Sequence, residues 1–287
     1  MVDETTAMEF TGERFTPECV REIWYEHWHR YAFALDLAKG KRVLDAACGE
    51  GYGSNLLAGV AEHVLGVDIS DEAIGHARNR YCNRNNLEFR SGDAAQLELP
   101  DNSVDVVVSF ETLEHLHAQN ELVAGFARVL ADNGILLISS PDKHAYSEVA
   151  GFRNEFHVRE LYREELLELL RPHFKCIRLY GQKLLFQSVM WTLDGSGEGA
   201  TAQTVSTMGE VSPAFDYAPV YFVAVCSNLA PPTGLPRISC FGDREESVYS
   251  HYNGEVRKNM NAGARIAELE AEIERLRTST PDKTSSK

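Results

Sequence analysis

The chain is short of basic side chains and has no long apolar run, and each shortage excludes a class of partner. Its 28 Lys and Arg stand against 43 Asp and Glu, a formal net charge of −15 that repels phosphate backbones and argues against nucleic acid. No Lys/Arg cluster interleaved with aromatics offers a local basic groove. No stretch approaches the ~20 apolar residues of a membrane span, so none is expected. Residues 1–10 lack the basic start and apolar core of a signal peptide, which makes the cytoplasm the expected location. The six cysteines, Cys19, Cys48, Cys82, Cys176, Cys226 and Cys240, show neither a CxxC pair nor His/Cys ligand spacing. Reduced thiols and no metal site are expected. What these exclusions leave is a small-molecule or glycan substrate.

What is present, from residue 41 onward, is an alternation of short β-branched runs with amphipathic stretches. That is the βαβ pattern of a doubly wound parallel sheet. Strands are predicted at 42–46, 63–67, 87–90, 104–110, 135–139, 174–180 and 220–226, seven in all, with helices at 54–59, 71–81, 119–130 and 163–170. Ser70 before Asp71 and Glu72 marks one helix start, a cap followed by two acids at the positive end of the dipole. The fold class is therefore α/β, a Rossmann-like seven-stranded sheet spanning 41–228, preceded by an N-terminal helical cap over 1–40.

Residues 194–213, rich in Gly, Ser and Thr, read as a flexible loop, either a substrate lid or a solvated insertion. Pro231, Pro232, Gly234 and Pro236 end the sheet domain and open an irregular linker over 229–258. A short helix over 259–277 carries Ile266, Leu269, Ile273 and Leu276 at alternating three- and four-residue spacing. Such a seam suits a homo-oligomer, a partner helix or docking on the parent domain. Residues 278–287 read as a disordered tail.

The chemistry concentrates at Val43-Leu44-Asp45-Ala46-Ala47-Cys48-Gly49-Glu50-Gly51-Tyr52-Gly53, a strand that runs into a glycine-rich turn before a helix. Glycines there let bare backbone N–H groups approach a ligand. Dinucleotide sites use the same device as G-x-G-x-x-G, yet Ser54 stands where the third glycine belongs, which disfavours NAD. Asp45 would repel a pyrophosphate and welcome a cation. Asp68 closes the second strand 19 residues after Gly49, where an acid gripping ribose hydroxyls belongs, and Asp93 follows the third strand. Any one of these acids alone is more often a cap or turn former. Three at successive strand ends point to one crevice.

These segments, with Phe110-Glu111-Thr112-Leu113-Glu114-His115, resemble the successive motifs of class I S-adenosylmethionine-dependent methyltransferases over about residues 40–228. The resemblance implies S-adenosylmethionine as the methyl donor, bound by Asp45, Ala47, Gly49, Gly51, Asp68, Ile69, Asp93, Ala94 and Phe110, with no metal required. Thr11-Gly12-Glu13-Arg14-Phe15 and Ser140-Pro141-Asp142-Lys143 further resemble bacterial enzymes associated with glycan synthesis.

Glu111, Glu114, His115 and His117 follow the fourth strand, on the side that faces a transferred methyl group in such a fold. His115, His157 and Glu111 are the candidate catalytic residues, His115 and His157 as rival bases for a hydroxyl acceptor. Arg159 is a candidate clamp for an acidic substrate. Trp24, Tyr25, His27, Trp28, His29, Arg30 and Tyr31 precede the first strand, and the aromatics among them are expected partly to cover the donor and partly to pack on the sheet. O-methylation of a sugar, glycan or other small polar acceptor leads. N-methylation of a small metabolite, a non-catalytic cofactor-binding scaffold and a dehydrogenase are the alternatives.

Overall fold

The computed structural model describes residues 22–151, 153–194 and 199–279. Two compact units divide the chain, Met1–Phe241 and Gly242–Lys287. The first is built on a seven-stranded sheet of β1 (Arg42–Ala46), β2 (His63–Asp68), β3 (Leu87–Ser91), β4 (Val104–Ser109), β5 (Leu130–Pro141), β6 (Cys176–Gln182) and β9 (Tyr221–Ser227), ordered β3-β2-β1-β4-β5-β9-β6. A two-residue pair, β7 (Thr204–Val205) and β8 (Val211–Ser212), forms a small antiparallel hairpin within the 194–213 stretch.

The strand count matches the sequence reading, but the sheet is mixed where an all-parallel one is expected. β9 lies antiparallel to both β5 and β6. A parallel partner needs a crossover, usually a helix, and among the described residues between β6 and β9 there is none. The chain returns along β6 in the reverse direction instead.

Alternate residues of the central strands feed two core layers, as the two-residue period of a strand dictates. Leu44, Ala46, Leu65, Val107 and Leu136 pack on one face, against Leu122 and Phe126 of α4 (Gln119–Val129) and Leu166 of α5 (Arg163–Leu170). Val43, Val64, Val106, Val108 and Leu137 pack on the other, against Tyr31, Ala34 and Ala38 of α1 (Glu22–Ala38) and Leu57 of α2 (Tyr52–Leu57). Burial on both sides explains why these strands read as nearly continuous apolar runs. α3 (Asp71–Arg80) starts where its cap predicts, with Ser70 Oγ accepting from the Ala73 N–H at 3.2 Å.

The second unit contains α6 (Ser247–Ser279), which begins well before the expected residue 259 and so shortens the irregular linker. Ile266, Leu269, Ile273 and Leu276 are all exposed along it. The 11–15 motif and residues 280–287 lie outside the described residues.

Candidate functional site

The parallel strands deliver their C-terminal ends to one edge, and the backbone there is strained. Ala47, just past β1, and Glu111, just past β4, hold φ of 60° and 49°. The left-handed region costs a residue with a Cβ on the order of 1 kcal/mol or more, and such residues cluster at functional sites. β1 and β4 are hydrogen-bonded neighbours, so the two strained turns sit side by side.

The glycine turn after β1 is shaped as much by packing as by ligand access. A Cβ on Gly51 would stand 2.5 Å from the Phe89 ring, and one on Gly53 would stand 2.0 Å from the Tyr31 ring. Both glycines are therefore demanded by aromatic side chains beneath the turn. Asp45 is fully buried there. Its carboxylate turns inward and accepts from Ser54 Oγ at 2.6 Å and from Tyr31 Oη at 3.1 Å. Burial pushes its carboxyl from the ordinary 3.8 up to about 6, against the pull of those two hydroxyls. Burial, with Asp45 beside it, drives the Tyr31 phenol well above its usual range and keeps it a donor. Ser54, which the sequence shows only as a missing glycine, thus anchors the acid that distinguishes this turn.

Asp68 ties two turns together, accepting from the Gly49 N–H at 2.8 Å and the Ser70 N–H at 2.9 Å, one on each oxygen. Each oxygen keeps a lone pair for a ligand hydroxyl. Beside it Ile69 is 78% exposed, an apolar platform at the crevice. Asp93 caps the short turn that opens at Ala94, accepting from the Ala95 N–H at 2.8 Å. Asp93, Gln96, His115, Leu116 and His117 line a cleft of about 440 Å³ that joins the end of β3 to the segment after β4. Phe110, just past β4, is buried edge-on to Tyr31 with ring centroids 5.1 Å apart. Another cleft, about 380 Å³, is lined by Asn102, Gly134, Lys175 and Asn228 at the opposite edge of the sheet, away from these groups.

On the far side of the cleft the structure brings His115 and His157 together, ring centroids 5.0 Å apart. The Glu114 carbonyl accepts from the Val158 and Arg159 N–H groups at 2.8 and 3.0 Å and so fastens the segment carrying His157. His157 Nδ1 lies 2.6 Å from Glu160, whose other oxygen accepts from Ser147 Oγ at 2.6 Å. His115 Nδ1 lies 3.1 Å from the Phe156 carbonyl. Glu111 is engaged elsewhere, accepting from Ser139 Oγ at 2.7 Å and ion-paired with the buried Arg30 at 3.3 Å. Arg30 in turn stacks on Tyr221 at 4.5 Å and donates to Gln182 at 2.7 Å. Glu114 is fully buried, and burial, then the neighbouring Glu111, pushes its carboxyl well above the carboxylate range. Arg159 and His117 are exposed. Sequence reasoning missed Glu160, Ser139 and Tyr221, and placed Arg30 in the N-terminal helix without its ion pair to Glu111. Only Glu160, three residues from His157, left a local signal.

The N-terminal aromatics pack more than they cover. Trp24 stacks on Trp28, Trp28 leans on Tyr52, and Tyr31 is buried between Tyr52 and Phe110.

Known proteins resemble this chain in sequence and in fold. A family described as Methyltransferase domain matches residues 44–138. A protein of Mycolicibacterium smegmatis named a probable S-adenosylmethionine-dependent methyltransferase is 40% identical over 168 residues, 58% of this chain and 64% of its own. Phosphoethanolamine N-methyltransferase 1 of Triticum aestivum is 33% identical over 117 residues, 40% of this chain and 24% of its own. The YcgJ protein of Bacillus subtilis, 17% identical, shares the fold with a TM-score of 0.51 over 71% of this chain and 100% of its own. The chain spans 64% of the length of the Mycolicibacterium smegmatis relative. Residues 44–138, which hold Asp45, Asp68, Asp93, Phe110 and His115, match that family and lie on a Rossmann-like sheet.

Proposed function

We propose that the protein uses S-adenosylmethionine to methylate a hydroxyl of a small polar acceptor, a sugar or glycan above all. When bound, the donor supplies a methyl group on a positively charged sulfur. The residues present suit it. Asp68 offers two half-used oxygens to a ribose, Ile69 an exposed apolar surface to a base, and Asp93 an acceptor at the next strand end. Asp45, Ala47, Gly49 and Gly51 form the acidic turn for the charged end, and Ala94 and Phe110 complete the wall.

The observation that carries the hydroxyl reading is the locked imidazole of His157. Glu160 holds its Nδ1 at 2.6 Å, and Ser147 holds Glu160. An Nδ1–H donated to a carboxylate leaves Nε2 with the lone pair a base needs. Tyr146 stacks on the same ring at 5.3 Å and fixes its plane. A hydroxyl must shed its proton near the transition state, and a positioned base is worth about 10²–10⁴-fold. His115 is the rival for that task. A glycan acceptor also accords with the acidic surface and with the Ser140–Lys143 resemblance at the end of β5.

An amine acceptor is the second reading, supported by the Triticum aestivum relative's name and by the acidic pair Glu111 and Glu114. The test is transfer of labelled methyl groups to parallel panels of sugars and amines, with the wild type and His157→Phe. Hydroxyl products, lost about 10²-fold or more in the variant while donor affinity persists, support the first reading. Amine products formed at equal rates by both proteins overturn it.

A further inference from the structure

We propose that Glu114, His115 and His157 bind one divalent first-row transition-metal ion beside the donor cleft. One ligating atom from each lies within 4.8 Å of the other two. Ligands about 2.1 Å from a common ion stand roughly 3–3.5 Å apart, so the three side chains need draw together by only about an ångström.

An independent observation points to a ligand. Glu114 has no exposed surface, yet neither of its carboxylate oxygens has a hydrogen-bond partner among the described residues. Buried carboxylates are nearly always partnered, and an orphan of this kind calls for an ion or water. The neighbouring cations do not answer it. Arg30 is directed to Glu111 and Gln182, and His115 Nε2 stands 3.8 Å from Glu114 Oε1, beyond hydrogen-bond reach.

The contacts at Nδ1 orient both imidazoles as a metal requires. The Phe156 carbonyl, 3.1 Å from His115 Nδ1, can only accept, so in the neutral ring Nδ1 carries the proton and Nε2 the lone pair. Glu160 imposes the same tautomer on His157. A ligating histidine whose other nitrogen donates to a carbonyl or carboxylate is the usual outer shell of a metal site. Two imidazoles and one carboxylate favour zinc, iron, cobalt or manganese over calcium. The His115 side chain, 26% exposed and bordering the 440 Å³ cleft, gives an ion its entry and an open face. The sequence conceals the set because its parts come from two segments, one after β4 and one after β5, joined by the Glu114 carbonyl. An ion on His157 Nε2 takes the lone pair that His157 would use as a base, so the two roles are alternative states of one side chain, and the site does not depend on which acceptor is methylated.

The test titrates chelator-treated full-length protein with Co²⁺, using calorimetry and visible absorption, beside Glu114→Gln and the double variant His115→Gln, His157→Gln. The expected result is one ion per chain at micromolar affinity or better, with an absorption band typical of nitrogen ligation. The affinity should fall about 10-fold or more in the first variant and about 100-fold in the second, with S-adenosylmethionine binding retained as the check on folding. Should a variant not fold, Mn²⁺ added to the wild type should broaden the ring proton signals of two histidines and spare the others. Wild-type binding no tighter than millimolar, equal affinity in folded variants, or broadening without histidine selectivity each overturn the proposal.

Discussion

Replacing Asp45 with asparagine should make the protein more stable at neutral pH and a poorer binder of the donor. Asp45 is buried, and its carboxyl is raised from 3.8 to about 6, chiefly by loss of water. A carboxyl with a raised folded-state value contributes stability that is fully present below about pH 4 and is lost as pH rises through about 6. The full loss, about two pKa units, is about 3 kcal/mol. Linkage places about 2 kcal/mol of it between about pH 4.5 and about pH 7.5. Asparagine has the same shape and no charge, and the hydroxyls of Ser54 and Tyr31 can each rotate to serve its amide. Urea unfolding of the wild type and Asp45→Asn across that range should therefore give a stability difference that grows by about 2 kcal/mol in favour of the variant as pH rises. Donor affinity should move the opposite way, because the turn loses its negative charge beside a cationic ligand. A difference that stays flat with pH, or a variant less stable than wild type at about pH 7.5, refutes the reasoning.

Other substitutions probe the same edge. Gly53→Ala places a methyl 2.0 Å from the Tyr31 ring and should cost about 3 kcal/mol or more in urea unfolding. Gly75→Ala, in α3 with nothing within 4 Å of the added methyl, should gain about 0.5–1 kcal/mol in the same assay. Asp68→Ala strands the Gly49 and Ser70 N–H groups and removes the proposed acceptor for a ribose. Calorimetry should show donor affinity weakened by about 10²-fold, against little change for Glu98→Ala away from the crevice.

Much of the scaffold was legible because periodicity and caps are local. β1 matches its predicted bounds, as does α5, and Ser70 caps α3 where the sequence places it. Strand direction was not legible, since β9 inserts between β5 and β6 through pairing with distant residues. The three acids were found at their strand ends, but the direction of the Asp45 side chain was not. It depends on Tyr31 and Ser54, which reach it from α1 and α2. The Glu111 neighbourhood hid for the same reason, because Arg30, Ser139 and Tyr221 approach from three separate elements. The glycines of the turn were visible as a motif, while the packing demand on Gly51 and Gly53 emerged only with Phe89 and Tyr31 in place beneath them.

The central claim is methyl transfer from S-adenosylmethionine to a hydroxyl. Mass spectrometry of the protein incubated with donor and a mixed panel of sugars and amines tests it most directly. The expected result is a product about 14 Da heavier than a hydroxylic acceptor, formed in step with S-adenosylhomocysteine and reduced about 10²-fold in Asp68→Ala at limiting donor. Donor bound but never consumed, or methyl found only on amines, contradicts it.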